Sequence, residues 1–202
     1  MRFVPLPAMV LMVSFVAIAH ADGLPAGLSN KPLSPKQTLL DWDDHLNSTN
    51  ADDVLRVYVY SGDDQTTLAR VVAEQVVAIT KLQQAVNAKW GKDAEAAVLH
   101  ACGSSTRADD EQVQELVKGD HAVLNYKGNS FAPLAMVHVN GVWKLDIAAC
   151  AAALGDHLKA AEESVRQITA IANSATAGIA DGKYPDADHL AKDISMQMEK
   201  VQ

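Results

Sequence analysis

Cysteine is scarce in this chain, with two in 202 residues, too few for a disulfide-built scaffold or for a zinc cluster of four thiolates. Positive charge is also short. Lys plus Arg number 17 against 25 Asp plus Glu, a formal charge of −8, so counterion release from a polyphosphate gives this surface little affinity and nucleic acid is not an expected partner. Glycine-rich phosphate loops and HExxH runs are absent, and no cofactor is expected. No serine or cysteine is set apart by its spacing as the nucleophile of a Ser-His-Asp or Cys-His arrangement. What is present is 49% apolar and 21% charged, the balance of a folded protein and not of a disordered or collagen-like one.

Residues 1–21, MRFVPLPAMVLMVSFVAIAHA, carry one positive residue, Arg2, then an uncharged apolar run from about Ala8 to Ile18, then Ala19-His20-Ala21. The run is roughly 11 residues, inside the ~7–15 of a secretory core and short of the ~18–20 of a membrane span. It reads as a signal peptide, and the chain as secreted or periplasmic. No later stretch is apolar enough to span a bilayer once the signal is removed. Export makes a disulfide chemically permissible, and Cys102 and Cys150 allow one pairing. The alternative is two buried thiols, and spacing alone does not decide between them.

Residues 22–34 read as a flexible leader rich in Pro, Gly and Ser. Ser34 as N-cap and Pro35 at the first position predict a helix through Leu39, Leu40, Trp42 and Leu46. A short helix is expected from Ala51 to about Tyr60. The longest helix opens at Asp63-Asp64, carries apolar residues at i, i+3, i+4 spacing from Leu68 to Trp90, and stops at Gly91. Another runs from Ala94 to about Ala101.

From Glu111 the period changes to two. One hairpin turns at Gly119-Asp120, opposing Lys118 to His121, Val117 to Ala122, Glu115 to Leu124 and Val113 to Tyr126. A second turns at Asn140-Gly141, the dipeptide of a type I′ turn, and puts Leu134, Met136, His138, Trp143, Leu145 and Ile147 on the core face. After Ile147, Leu154, Leu158, Ala161, Val165, Ile168 and Ala172 step along one helix, Gly178–Pro185 breaks it, and Asp186 or Asp188 caps a last helix through Leu190, Ile194 and Met198. The expected class is α+β, an antiparallel sheet with helices, closed by a C-terminal helical hairpin.

Helix, short helix, long helix, then an antiparallel meander ending in Gly141-Val142-Trp143-Lys144-Leu145-Asp146-Ile147 resembles the nuclear transport factor 2-like (SnoaL-like) superfamily over residues 35–147. The resemblance implies a curved sheet wrapped around its helices as a cone with an internal pocket. It also implies a wide choice of function, since that fold hosts isomerases, dehydratases, cyclases and plain binding or assembly modules. The extension, residues 148–202 with Ile179-Ala180-Asp181-Gly182-Lys183-Tyr184, resembles that of exported bacterial proteins and not that of the superfamily's enzymes.

If both hairpin faces line such a pocket, it holds Glu115, Tyr126 and His138 as catalytic candidates, and Tyr126, Met136, His138 and Trp143 as ligand-binding residues. A carboxylate in apolar surroundings becomes a base near neutrality, and a tyrosine hydroxyl donates to a developing oxyanion. Against this stands a Glu115 at a strand end in water and a His138 stacked on Trp143. Asp41 and His45 fall at i, i+4 on one helix, but two ligands are not a metal site, and no metal is expected. The favoured function is an exported non-enzymatic binding or assembly module taking a small apolar molecule or associating with itself. The alternative is a small isomerase, dehydratase or cyclase with Glu115 or His138 as general base.

Overall fold

The computed structural model describes residues 33–41, 46–102, 113–126 and 133–201. The expected signal peptide, the expected leader up to residue 32, and His45 of the Asp41/His45 pair lie outside the described residues.

Helix α1 (Pro35–Asp41) begins as its sequence requires, with the Ser34 hydroxyl accepting from the Gln37 amide at 3.2 Å. Helix α2 (Ala51–Leu55) is capped by Asn50, whose side chain accepts from the Asp52 amide at 3.1 Å. It ends five residues short of the expected Tyr60. Val57-Tyr58-Val59-Tyr60 alternates β-branched and aromatic residues, and its centre forms strand β1 (Tyr58–Val59).

Gly62 then adopts φ +75 and helix α3 (Asp63–Trp90) starts, running about 42 Å to the Gly91 stop at φ +87. Helix α4 (Lys92–Ala101) follows. The meander comprises β2 (Val113–Lys118), β3 (His121–Tyr126), β4 (Leu134–Val139) and β5 (Val142–Asp146). Both hairpin registers are those expected, from Lys118 opposite His121 to Val113 opposite Tyr126, and from Val139 opposite Val142 to Met136 opposite Leu145. Asn140 and Gly141 take φ of +52 and +85, the pair of left-handed residues that a type I′ turn requires.

The sheet order is β1-β5-β4-β3-β2. The sheet is mixed and not purely antiparallel, because β1 lies parallel to β5, with Tyr58 beside Leu145 and the Leu145 amide donating to the Val57 carbonyl at 2.9 Å. A parallel partner needs a long connection, and here α3, α4 and three strands supply it.

Beyond β5, helix α5 (Ile147–Leu154) stops at Gly155, whose φ of +51 and following 3-10 turn separate it from α6 (Leu158–Ala180). One continuous helix was expected there. The apolar stepping of Leu154 and Leu158 masks the glycine stop between them. At its far end α6 closes with a Schellman pattern, the Lys183 amide reaching the Gly178 carbonyl at 2.9 Å and the Gly182 amide reaching Ile179 at 3.2 Å. Gly178 thus belongs to the helix and not to the break. It is glycine because a Cβ there would stand 2.6 Å from the Tyr184 ring. Helix α7 (Ala187–Met198) is capped by Asp186, accepting from the His189 amide at 2.9 Å.

Two apolar clusters result, and α3 belongs to both. Its first half puts Leu68, Val72 and Val76 under the sheet against Leu124, Met136, Trp143 and Ile147. Its second half puts Ile79, Leu82 and Val86 into a helical bundle with Val98 and Leu99 of α4, Ala172 and Ile179 of α6, and Leu190 and Ile194 of α7. The C-terminal helices therefore cover the body of the molecule, α6 lying along α3 and α7 along α4.

Candidate functional site

The residues singled out from the sequence do not form one site. Glu115 opposes Leu124, Leu124 opposes Leu134, and His138 lies four residues further along β4. Strand geometry puts their Cα atoms about 16 Å apart. Each has a local task. Glu115 Oε2 accepts from the Lys36 amide at 3.1 Å, so its carboxylate caps the first turn of α1. The His138 ring packs on Trp143, centroids 4.9 Å apart at 44°, and its Nδ1 lies 3.7 Å from the exposed Asp120 carboxylate. Met136 and Trp143 are 1% and 8% exposed within the sheet cluster, in contact with α3 and its neighbours. The Tyr126 backbone pairs with Val113, and its side chain lies outside the described residues, as does that of Asp41.

The cysteines are both thiols. Cys102 is buried in the helical bundle, and Cys150 packs against the sheet cluster, so they belong to different cores. Burial pushes the Cys102 thiol up to about 12. Cys150 is also raised, by burial and by the nearby Asp146 carboxylate. Neither is a thiolate near neutrality, so neither is an activated nucleophile there. Among the described residues no three His, Cys, Asp or Glu side chains are grouped as a metal ion needs, and no helix is long and apolar enough to cross a membrane.

An open cleft of about 530 Å³ lies instead at the β1 edge of the sheet, lined by Asp52, Leu55, Arg56, Tyr58, Val59, Tyr60, Arg70 and Lys144. Local folding brings these together. Arg56 is the residue that ends α2. The parallel pairing of Tyr58 with Leu145 sets Lys144 beside the start of β1. After β1 the chain reverses at Ser61-Gly62, where the Ser61 amide donates to Gln65 Oε1 at 2.8 Å and the Thr66 amide to the Gly62 carbonyl at 3.0 Å. That reversal brings the first turns of α3, with Arg70, back towards the strand.

Within the cleft Tyr58 is held neutral, its hydroxyl pKa raised by burial and then by Cys150. Arg56 pairs with Asp53 at 3.6 Å but keeps 69% of its side chain exposed. The sequence reading missed these residues because it placed Arg56, Tyr58 and Tyr60 on one helix, where they would not share a concave surface with Lys144. The only local hint was the β-branched and aromatic composition of Val57-Tyr58-Val59-Tyr60, which shows no apolar–polar period. No protein-family model, curated protein or solved structure matches the chain.

Proposed function

We propose that this is an exported, non-enzymatic binding or assembly module. The observation that carries the reading is the fate of the two acid–base candidates. Glu115 and His138 are held too far apart to act together on one ligand atom; the Glu115 carboxylate caps α1 and the His138 ring packs on Trp143. Proton transfer needs a group within about 3 Å of the reacting atom and free to exchange its proton. The cleft at β1, with aliphatic, tyrosine and cationic lining, offers binding groups. Leu116 and Val142, 55% and 47% exposed, share the outer face of the sheet and support the assembly side of the reading.

Export rests on the run Ala8–Ile18 followed by Ala19-His20-Ala21. The order of helices and the closing Asn140-Gly141 hairpin support keeping the nuclear transport factor 2-like resemblance, with its cone shape, as part of the proposal.

A thermal-shift screen against lipids and metabolites tests the function, since a ligand at a hundred times its dissociation constant adds about 2.7 kcal/mol. A stabilising compound recovered unchanged after long incubation is the expected result. Conversion of that compound, lost in Glu115→Gln or His138→Gln, would establish the enzyme instead.

A further inference from the structure

The cleft at the β1 edge has a charge that its surroundings do not. Over the whole chain acidic residues outnumber basic ones, 25 to 17. Among the charged groups lining the cleft three are cations, Arg56, Arg70 and Lys144, and one is an anion, Asp52. Two of the three described arginines are there. Neither Arg70 nor Lys144 has an ion-pair partner among the described residues. Among the described residues Arg56 has only the long contact to Asp53, the kind of exposed pair that a ligand oxyanion displaces at little cost.

Guanidinium forks match the paired oxygens of carboxylate and phosphate groups, and a lysine ammonium adds a point charge that suits a second negative charge. The remaining lining is aliphatic and aromatic, from Leu55, Tyr58, Val59 and Tyr60. A ligand that satisfies both parts carries its charge at one end and a hydrocarbon or ring body at the other. We propose that this cleft binds a small dianionic oxyanion ligand with an apolar body, the charge taken by Arg56, Arg70 and Lys144 and the body by Leu55, Val59 and Tyr60.

The proposal rests on the binding-module reading and narrows its ligand class. The net charge of −8 also bears on how such a ligand arrives. The long-range field repels it, so recognition depends on contacts inside the cleft and not on steering.

Phenyl phosphate and phenylsuccinate, titrated into the purified protein by calorimetry and thermal shift, are the probes, with 2-phenylethanol as the uncharged control. Saturable binding of either dianion in the millimolar range or tighter is expected, with the alcohol much weaker. Arg70→Gln and Lys144→Gln should each weaken it about tenfold, while Lys159→Gln, an exposed cation on α6, should leave it unchanged. The three sites are solvent-accessible, so the unliganded variants should fold, which circular dichroism checks.

No response to either dianion, equal binding of the alcohol, or equal loss in Lys159→Gln would overturn the assignment. If the dianions fail while another compound from the lipid and metabolite panel binds, the ligand class falls and the binding-module reading stands. If a dianion binds at the cleft and is chemically changed, the site stands and the non-enzymatic reading falls.

Discussion

The Glu115 carboxylate on β2 accepts a hydrogen bond from the backbone amide of Lys36, 79 residues earlier in the chain, at 3.1 Å. The contact fastens α1 to an edge strand that has a neighbour on one side only. A carboxylate at a helix start satisfies one of the amides that the helix leaves unpaired and faces the positive end of its dipole. Replacing Glu115 by Ala should cost about 1 kcal/mol, as loss of a helix cap does, and Glu115→Gln should recover part of that. Urea unfolding with an unchanged slope is the measurement. A loss of ligand binding with full stability would place Glu115 in a site instead.

Because Cys102 and Cys150 sit in different cores as thiols, a reducing agent should leave the melting temperature where it is. Iodoacetamide near neutral pH should label Cys102 only as fast as the molecule opens, since burial suppresses its thiolate. Cys150, less deeply placed, should react sooner than Cys102 but more slowly than an unstructured thiol. Intact mass after timed labelling, with and without denaturant, reads both rates.

The meander was legible because its turns are local. Gly119-Asp120 and Asn140-Gly141 set the reversals, and a two-residue loop leaves the register no freedom. The long helix was legible for a similar reason, since its apolar spacing from Leu68 to Trp90 persists for about six turns and Gly91 ends it. Strand β1 was not. Two residues make too short a run to show a period, and they are held by Leu145, far along the sequence. The cleft was hidden by the same step, because Arg56 and Lys144 meet only through that pairing. Glu115 was visible as a carboxylate on an apolar face, whereas its use as a distant cap depends on where α1 lies.

Asp193 should contribute, beside the α7 cap Asp186, to the acid limb of local stability at the α6–α7 junction. Its carboxylate accepts from Lys183 Nζ at 2.8 Å and from the Tyr184 hydroxyl at 2.6 Å. Those hydrogen bonds, Lys183 first, hold its pKa below the ordinary 3.8. A carboxylate lowered in the folded state contributes stability above its unfolded value and loses it as pH falls through the folded one. Lys183 is raised above 10.5, by Asp193 and then Tyr184, so its share is complete below that value and is lost as pH rises through the folded pKa. Asp193→Asn should therefore melt earlier than the parent at neutral pH, and the gap should close below the folded pKa of Asp193. Melting curves of the two proteins across pH test this, and a gap constant with pH would refute it.

The terminal helices should prove integral to the fold. Leu190 and Ile194 are fully buried against α4 and its neighbours, whereas Met196 is 48% exposed. Leu190→Ala should cost about 2–5 kcal/mol, and Met196→Ala should stay within about 0.5 kcal/mol of zero. A chain ending at Ala149 should be insoluble or melt lower, since the second half of α3 would lose its cover. Retention of solubility and melting temperature in that shortened chain would make the two helices an appendage.

Helix α3 also sets a schedule. It is complete at Trp90, but the helix that covers its second half begins only at Leu158. At a synthesis rate of roughly 5–20 residues per second, the ribosome takes several seconds to bridge that interval. Throughout it Ile79, Leu82 and Val86 can pack on Val98 and Leu99 of α4 but still lack Ala172, Ile179, Leu190 and Ile194. The nascent chain thus stays open to holding chaperones until nearly its last residue is made. The final bundle cannot close before the chain is finished, because α7 supplies Leu190 and Ile194 to it.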